Sequence, residues 1–338
     1  MSIEAIDWRA VVDEAIRRRK DEGLSQRDLA GLAGVSVPTV NSFEKGDTNL
    51  RFDRVVAILD AVGLFLHPGE SDSLQAFVHA GRRRWNELVD GLPEPHPSRQ
   101  PFGSSEQAYA LGGVSVHPTL SDLRDILANA PATSGWPPFW VSSRAALRPV
   151  IREGLVECWL GRPDAERVFS DAAHQDFWQV GRGGKAYIKR GYQEDGPDLQ
   201  PGTVFDVTLP IWRTAEVLLH AAWLAGELGS SKGDRMRFSA RYTGLAGRRL
   251  FAWAKPLLTG FLSLGEAAHA RTDSVDLEAN PTVDDIERNL SDVVRIAIAP
   301  LYERFDGFQV PSDLVAGQIA ELKAFRDSEA GDNRRRRH

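Results

Sequence analysis

From Leu24 to Gly46 the chain reads Leu-Ser-Gln-Arg-Asp-Leu-Ala-Gly-Leu-Ala-Gly-Val-Ser-Val-Pro-Thr-Val-Asn-Ser-Phe-Glu-Lys-Gly. This pattern predicts two short helices joined by a tight turn. Ser25 stands at an N-cap, with Gln26, Arg27 and Asp28 in the first turn after it. Leu29, Leu32 and Ala33 recur at helical spacing and face a core. Gly34 sits where a helix commonly ends in a left-handed residue. Ser36 caps the next helix, and Pro38 falls in its first turn, where a missing N–H costs little. Val40 and Phe43, three apart, are its buried stripe, and Gly46 stops it.

Two helices in this arrangement form a helix-turn-helix. Four features carry a resemblance to the DNA-binding domain of the Cro and phage-repressor family, also called XRE. They are the Ser25-Gln26 opening, the Leu29-Ala30 pair, the Ala-Gly-Val-Ser turn from Ala33 to Ser36, and the Phe-Glu-x-Gly ending from Phe43 to Gly46. The resemblance runs from about Trp8 to Leu66. It implies that the second helix lies in the major groove with its first residues at base edges. Val37, Pro38, Asn41 and Ser42 would then face bases, following the cap at Ser36, with Thr39 near a phosphate. Val37 and Pro38 suit thymine methyls, and Asn41 suits adenine or cytosine. Gln26 matches the family's phosphate-binding glutamine, while Lys45, Thr48, Asn49 and Arg51 would hold the backbone beyond. The recognition helix carries no arginine, which leaves room for readout of DNA shape.

The chain has 338 residues, enough for two domains, and 42% of them are hydrophobic, the balance of a globular protein. No apolar run spans a membrane and no signal-peptide core opens the chain, so a cytoplasmic protein is expected. The single cysteine, Cys158, excludes an internal disulfide, and its apolar neighbours make it a small buried hydrophobe. A net charge of −6 argues against broad coating of nucleic acid, but not against a local DNA surface.

Residues 1–70 are therefore read as an all-α DNA-binding domain. Its first helix spans Asp7 to Glu22, and the basic run Arg17 to Lys20 serves either the helix dipole or a phosphate. A helix from Phe52 to Val62 follows. Leu64 to His67 is either a small strand that pairs between two chains, similar to Hip-type antitoxins, or an apolar tail. Residues 71–90 read as a connecting helix in which Arg82 to Arg84 are a solvated face. Residues 91–118, rich in Pro, Gly and Ser, lose periodicity and read as a linker.

Residues 119–330 are expected to form an α+β domain, a mostly antiparallel sheet with helices on one side, before a disordered basic tail at 331–338. Helices are predicted at Leu120 to Asn129, Ile211 to Leu228, Pro281 to Ala297 and Val310 to Phe325, with a short one between Arg144 and Arg152. Gly154 to Leu160 has strand character, and Phe177 to Tyr192 reads as a hairpin turning at Gly181 to Gly184. Arg235 to Tyr242 and Arg248 to Ala254 read as a second antiparallel pair.

Most of the nine tryptophans lie beyond residue 130. One reading is a Trp-rich core. The other is a ligand cleft lined by Trp136, Trp140, Trp178 and Trp212, with Arg190 or Arg213 for an anionic group. His174 and Asp176 read as a capping or surface pair rather than a catalytic one. No metal spacing and no nucleotide fingerprint is present, so no cofactor is expected. The segments Gly135 to Phe139, Glu194 to Pro197 and Leu209 to Arg213 are similar to C-terminal parts of uncharacterised bacterial proteins, which implies no activity.

The expectation is a transcriptional regulator that binds double-stranded DNA at a palindromic operator as a homodimer, its second domain sensing a small molecule or a protein partner. An antitoxin or defence-module regulator is the alternative. An enzyme fused to a helix-turn-helix is the third reading.

Overall fold

Each of the first three helices starts where a polar side chain takes an orphan backbone N–H. Asp7, Ser25 and Ser36 accept from the N–H groups of Ala10, Asp28 and Thr39. Asp28 returns the bond to the Ser25 N–H at 2.9 Å, closing a capping box. The computed structural model describes residues 7–62, 64, 74–134, 136–142, 144–165, 171–260 and 268–335.

The N-terminal domain comprises α1 (Trp8–Asp21), α2 (Gln26–Leu32), α3 (Val37–Glu44) and α4 (Phe52–Ala61). Gly34 ends α2 at a φ of 62°, a conformation that costs glycine nothing. Val12, Leu29, Val40, Phe43 and Ile58 meet in a separate core. The basic run of α1 is largely spent inside the domain. Arg17 and Arg18 pair with Glu14, and Arg19 is buried on Glu44. Dimer pairing through Leu64 to His67 falls on Phe65, Leu66 and His67, which lie outside the described residues.

The second domain begins earlier than its sequence suggests. The stretch read as linker holds β1 (Ser104–Leu111), the strand at the heart of a seven-stranded antiparallel sheet. Its order is β2 (Val150–Arg152), β3 (Leu155–Trp159), β4 (Phe177–Gly181), β5 (Lys185–Gly191), β1, β7 (Met236–Tyr242), β9 (Val275–Ala279). Glu106 faces Lys189 on one neighbour and Arg241 on the other. The expected partner of β7 is elsewhere: β8 (Arg249–Phe251) pairs in parallel with β6 (Val204–Asp206) in a small second sheet.

Helices cover both faces, not one. On one side lie α6 (Leu120–Ala128), α7 (Leu209–Glu227), α8 (Val283–Tyr302) and α9 (Ser312–Arg335), sharing a core with Tyr109, Trp178, Ile188 and Phe238. On the other lies α5 (Leu74–Val89), the expected connector, packed on Ala108, Ala110, Phe177 and Tyr187. It fits closely because Gly81 lies over Tyr187, where a Cβ would come within 2.6 Å of the ring. Of its three arginines only Arg83 is solvated: Arg82 pairs with Glu106 of β1 and Arg84 with Glu157 of β3. Trp85 lies under the Lys189 ammonium at 4.3 Å.

Smaller corrections follow the same lines. Arg144 to Arg152 forms a 3-10 turn at Ala145–Leu147 and then β2. Pro300 lies inside α8, and α9 extends as far as Arg335, into the expected disordered tail. Cys158 is buried as expected, and burial pushes its thiol up, away from reactivity.

Candidate functional site

α3 turns one face to the core and another to solvent. Val40 and Phe43 are fully buried. Val37, Pro38 and Asn41 are exposed on the other side, and Lys45 at the C-cap extends the row. Positions 37, 41 and 45 are four apart, so they share one face. Thr39 and Ser42 are half-buried at its margin. Ser36 and Thr39 bond through their hydroxyls at 2.7 Å, which spends both on the helix start.

Glu44, which sequence reasoning passed over, fixes the geometry of the first-helix glutamine. Its carboxylate accepts from Gln26 Nε2 at 2.7 Å and from Arg19 Nη2 at 3.2 Å, joining α1, α2 and α3. No periodicity signals this pairing, because its members lie 18 and 25 residues apart. Beyond α3, Thr48, Asn49 and Arg51 are exposed. Arg51 holds Asp53 through two bonds of 3.1 Å. An exposed pair of this kind is worth well under about 1 kcal/mol, so exchange for a phosphate is inexpensive. Arg27, outside the expected contacts, is exposed next to Gln26.

Among the described residues, the second domain leaves Val37, Pro38, Asn41 and Lys45 exposed. It meets the N-terminal domain at the end of α4, where Arg182 of the β4–β5 turn reaches the Asp60 carbonyl and, at 2.9 Å, its carboxylate, and after α1, where Glu22 meets Thr119.

The expected indole cleft is divided. Trp178 is fully buried in the sheet–helix core, edge-on to Phe139, so it lines no cleft. Arg190 is equally committed: its Nε donates to the buried Asp176 at 2.9 Å. Asp176 also accepts from Trp136 Nε1 at 3.2 Å, which makes it a structural hub rather than the partner of His174. His174 Nδ1 lies instead 2.7 Å from Asp171. Burial alone would raise Asp171, but His174 outweighs it and holds the carboxyl below its ordinary value.

Trp136, Trp212 and Arg213 do share an open groove of about 380 Å3 with His174, Gln193 and Lys255. Within it Trp212 Nε1 donates to Gln318 at 2.8 Å, and Arg213 donates to the Trp136 carbonyl at 3.1 Å. Trp140 touches Trp136 with ring centres 4.9 Å apart, but lines a different cavity.

In the Glu194 to Pro197 run, Glu194 is buried and Pro197 is exposed. Asp195 pairs with Arg248, and Glu194 accepts from the Asp206 N–H at 2.9 Å. Burial, reinforced by nearby Asp206, pushes Glu194 up from 4.5 to about 7. The folded chain therefore holds this proton where the unfolded chain has lost it. The Glu194 contribution to stability is full below about pH 4.5, falls as pH rises and is lost above about pH 7. Glu194→Gln is expected to remove that part of the slope, read as thermal midpoints of wild type and variant between about pH 5 and 8. Parallel curves for the two proteins would place the titration elsewhere.

Residues 16–64 match a family model described as helix-turn-helix. The N-terminal domain is thus a helix-turn-helix of the Cro and phage-repressor type, a family of DNA-binding transcription regulators. No curated protein and no solved structure matches the chain. Among the described residues, no helix is long and apolar enough to cross a membrane.

Proposed function

We propose that the chain is a sequence-specific transcriptional regulator, a repressor of its own or a neighbouring promoter, that binds a palindromic operator as a homodimer. The second domain senses an effector or joins the protomers, and performs no catalysis. One observation carries the reading: α3 offers Val37, Pro38, Asn41 and Lys45 to solvent with the second domain in place. A single helix-turn-helix reads few bases, so such domains bind half-sites about one DNA turn apart as dimers.

Footprinting on genomic fragments selected by the protein tests the reading. Asn41→Ala combined with Ser42→Ala is expected to lose about 1–3 kcal/mol of discrimination for each base contact removed, with nonspecific binding nearly unchanged. Lys45→Ala is expected to weaken all sequences alike and to reduce the salt slope by about 1. An unchanged footprint at unchanged affinity for the double variant would show that α3 does not read the operator.

A further inference from the structure

A cavity of about 240 Å3 lies between α7 and the loop running from α6 through Pro131 to Val141. Its walls mix polar and apolar surface, with Leu127, Phe139, Trp140, Leu219 and Trp223 on the apolar side. Two polar side chains of α7 also line it, Glu216 and His220. They are four residues apart and so share one helix face. Both are buried, at 0% and 7% exposure. Each has one atom, Glu216 Oε1 and His220 Nε2, with no hydrogen-bond partner among the described residues. A buried polar atom left unpaired costs about 1–3 kcal/mol, and most such atoms in proteins find partners. Two on one helix face, beside one cavity, point to a ligand.

The remaining atoms of these side chains decide what the unpaired ones offer. Glu216 Oε2 accepts from Arg213 Nη1 at 2.9 Å, so the carboxylate already has its counter-charge. Tyr109 is fully buried, and its hydroxyl lies 2.9 Å from His220 Nδ1. A buried hydroxyl proton needs an acceptor, and Nδ1 takes it, which leaves the ring's own proton on Nε2. Burial pushes His220 down to about 3, so the ring is neutral near pH 7. Phe139 fixes its plane, with ring centres 4.5 Å apart. The α7 face beside the cavity thus carries an unpaired acceptor and an unpaired donor, next to aromatic walls.

We propose that this cavity binds a small, neutral, planar molecule that carries an N–H next to a C=O, a lactam or a primary carboxamide. Its N–H donates to Glu216 Oε1, its carbonyl accepts from His220 Nε2, and its ring packs against Trp140 and Trp223. A cationic amine gains little, because Arg213 already neutralises Glu216. A carboxylate would face the Glu216 oxygen and be repelled. The site names a ligand class for the sensing role, and rests on that role only for its effect on DNA, not for binding itself.

The test titrates the full-length protein with 2-pyridone and nicotinamide, and with benzylamine and benzoate as charged counterparts. Tryptophan fluorescence and the thermal midpoint are read together. The two amides are expected to quench saturably and raise the midpoint, and the charged compounds to do neither. In Glu216→Gln, Arg213 retains the amide oxygen and turns the NH2 group toward the cavity, replacing the acceptor with a donor. Affinity is then expected to fall about 10- to 100-fold. Leu219→Trp, made at a half-buried wall position, fills the space without touching either polar group and is expected to abolish binding. Absence of saturable binding by either amide up to about 10 mM (an affinity near the weakest that matters) overturns the proposal. So does equal binding by wild type and both variants, or a preference for benzylamine. Operator binding is measured separately on the same protein. Failed amide binding with intact operator binding therefore sinks this site and leaves the regulator reading standing.

Discussion

Replacing Arg248 with methionine is expected to lower the stability of the second domain by about 3–5 kcal/mol, the cost of breaking a buried pair. Arg248 is fully buried, and all five of its N–H donors are used. Its Nε donates to the Gly244 carbonyl, and its two Nη groups donate to Asp195, to the Val204 carbonyl and to the Phe102 carbonyl. The guanidinium also lies 4.6 Å over the Tyr192 ring. These bonds hold together the approach to β1, the turn after β7 and the start of β6. Methionine fills similar volume, yet leaves three carbonyls and the Asp195 carboxylate without these donors. Urea unfolding should show a lower midpoint at an unchanged slope. Adding Asp195→Asn removes the stranded charge while keeping an acceptor for the Gly202 N–H, so the double variant should be less unstable than the two single losses summed. A midpoint for Arg248→Met equal to that of wild type would contradict this account.

Glu106→Ala is expected to cost a similar amount, about 3–5 kcal/mol, for a different reason. One carboxylate serves two cations: Lys189 of the neighbouring strand at 3.0 Å, and Arg82 of α5. Burial alone would raise Glu106, but Lys189 and then Arg82 outweigh it, so its carboxyl stays below its ordinary value. Removing it strands an ammonium that is 6% exposed, left with Ser104 Oγ and the Trp85 ring. It also cuts one of the two ion pairs that dock α5 on the sheet. Hydrogen exchange should therefore rise in α5 first, before the sheet opens. Stability within about 0.5 kcal/mol of wild type, with α5 protection intact, would show that apolar packing alone holds this helix.

The helix-turn-helix was legible from Leu24 to Gly46 because every signal there is local. Caps at Ser25 and Ser36, a left-handed glycine at Gly34 and a three-residue apolar step at Val40 and Phe43 all act within one or two helical turns. The same holds for the β4–β5 hairpin, whose turn closes within four residues. β1 was not legible. Its Ser-Ser-Glu-Gln-Ala-Tyr-Ala-Leu shows no alternation, because both of its faces are covered. Its polar side chains are buried against partners far along the chain: Glu106 with Lys189, and Gln107 with Thr214 and Tyr242. Nor do the arginines of α5 differ, as residues, from a solvated run. Only the carboxylates brought under them by β1 and β3 make them docking groups. For the indoles, composition indicated abundance but not arrangement. The fold put Trp178 in the core and Trp136 and Trp212 on a groove, and it placed Glu216 and His220 beside Trp140 with two polar atoms unpaired. What the sequence determined by itself is therefore what neighbours along the chain decide: caps, turns and the two helices of the helix-turn-helix. What only tertiary structure decided is which charges and rings meet across the sheet, since burial and pairing depend on segments a hundred residues apart.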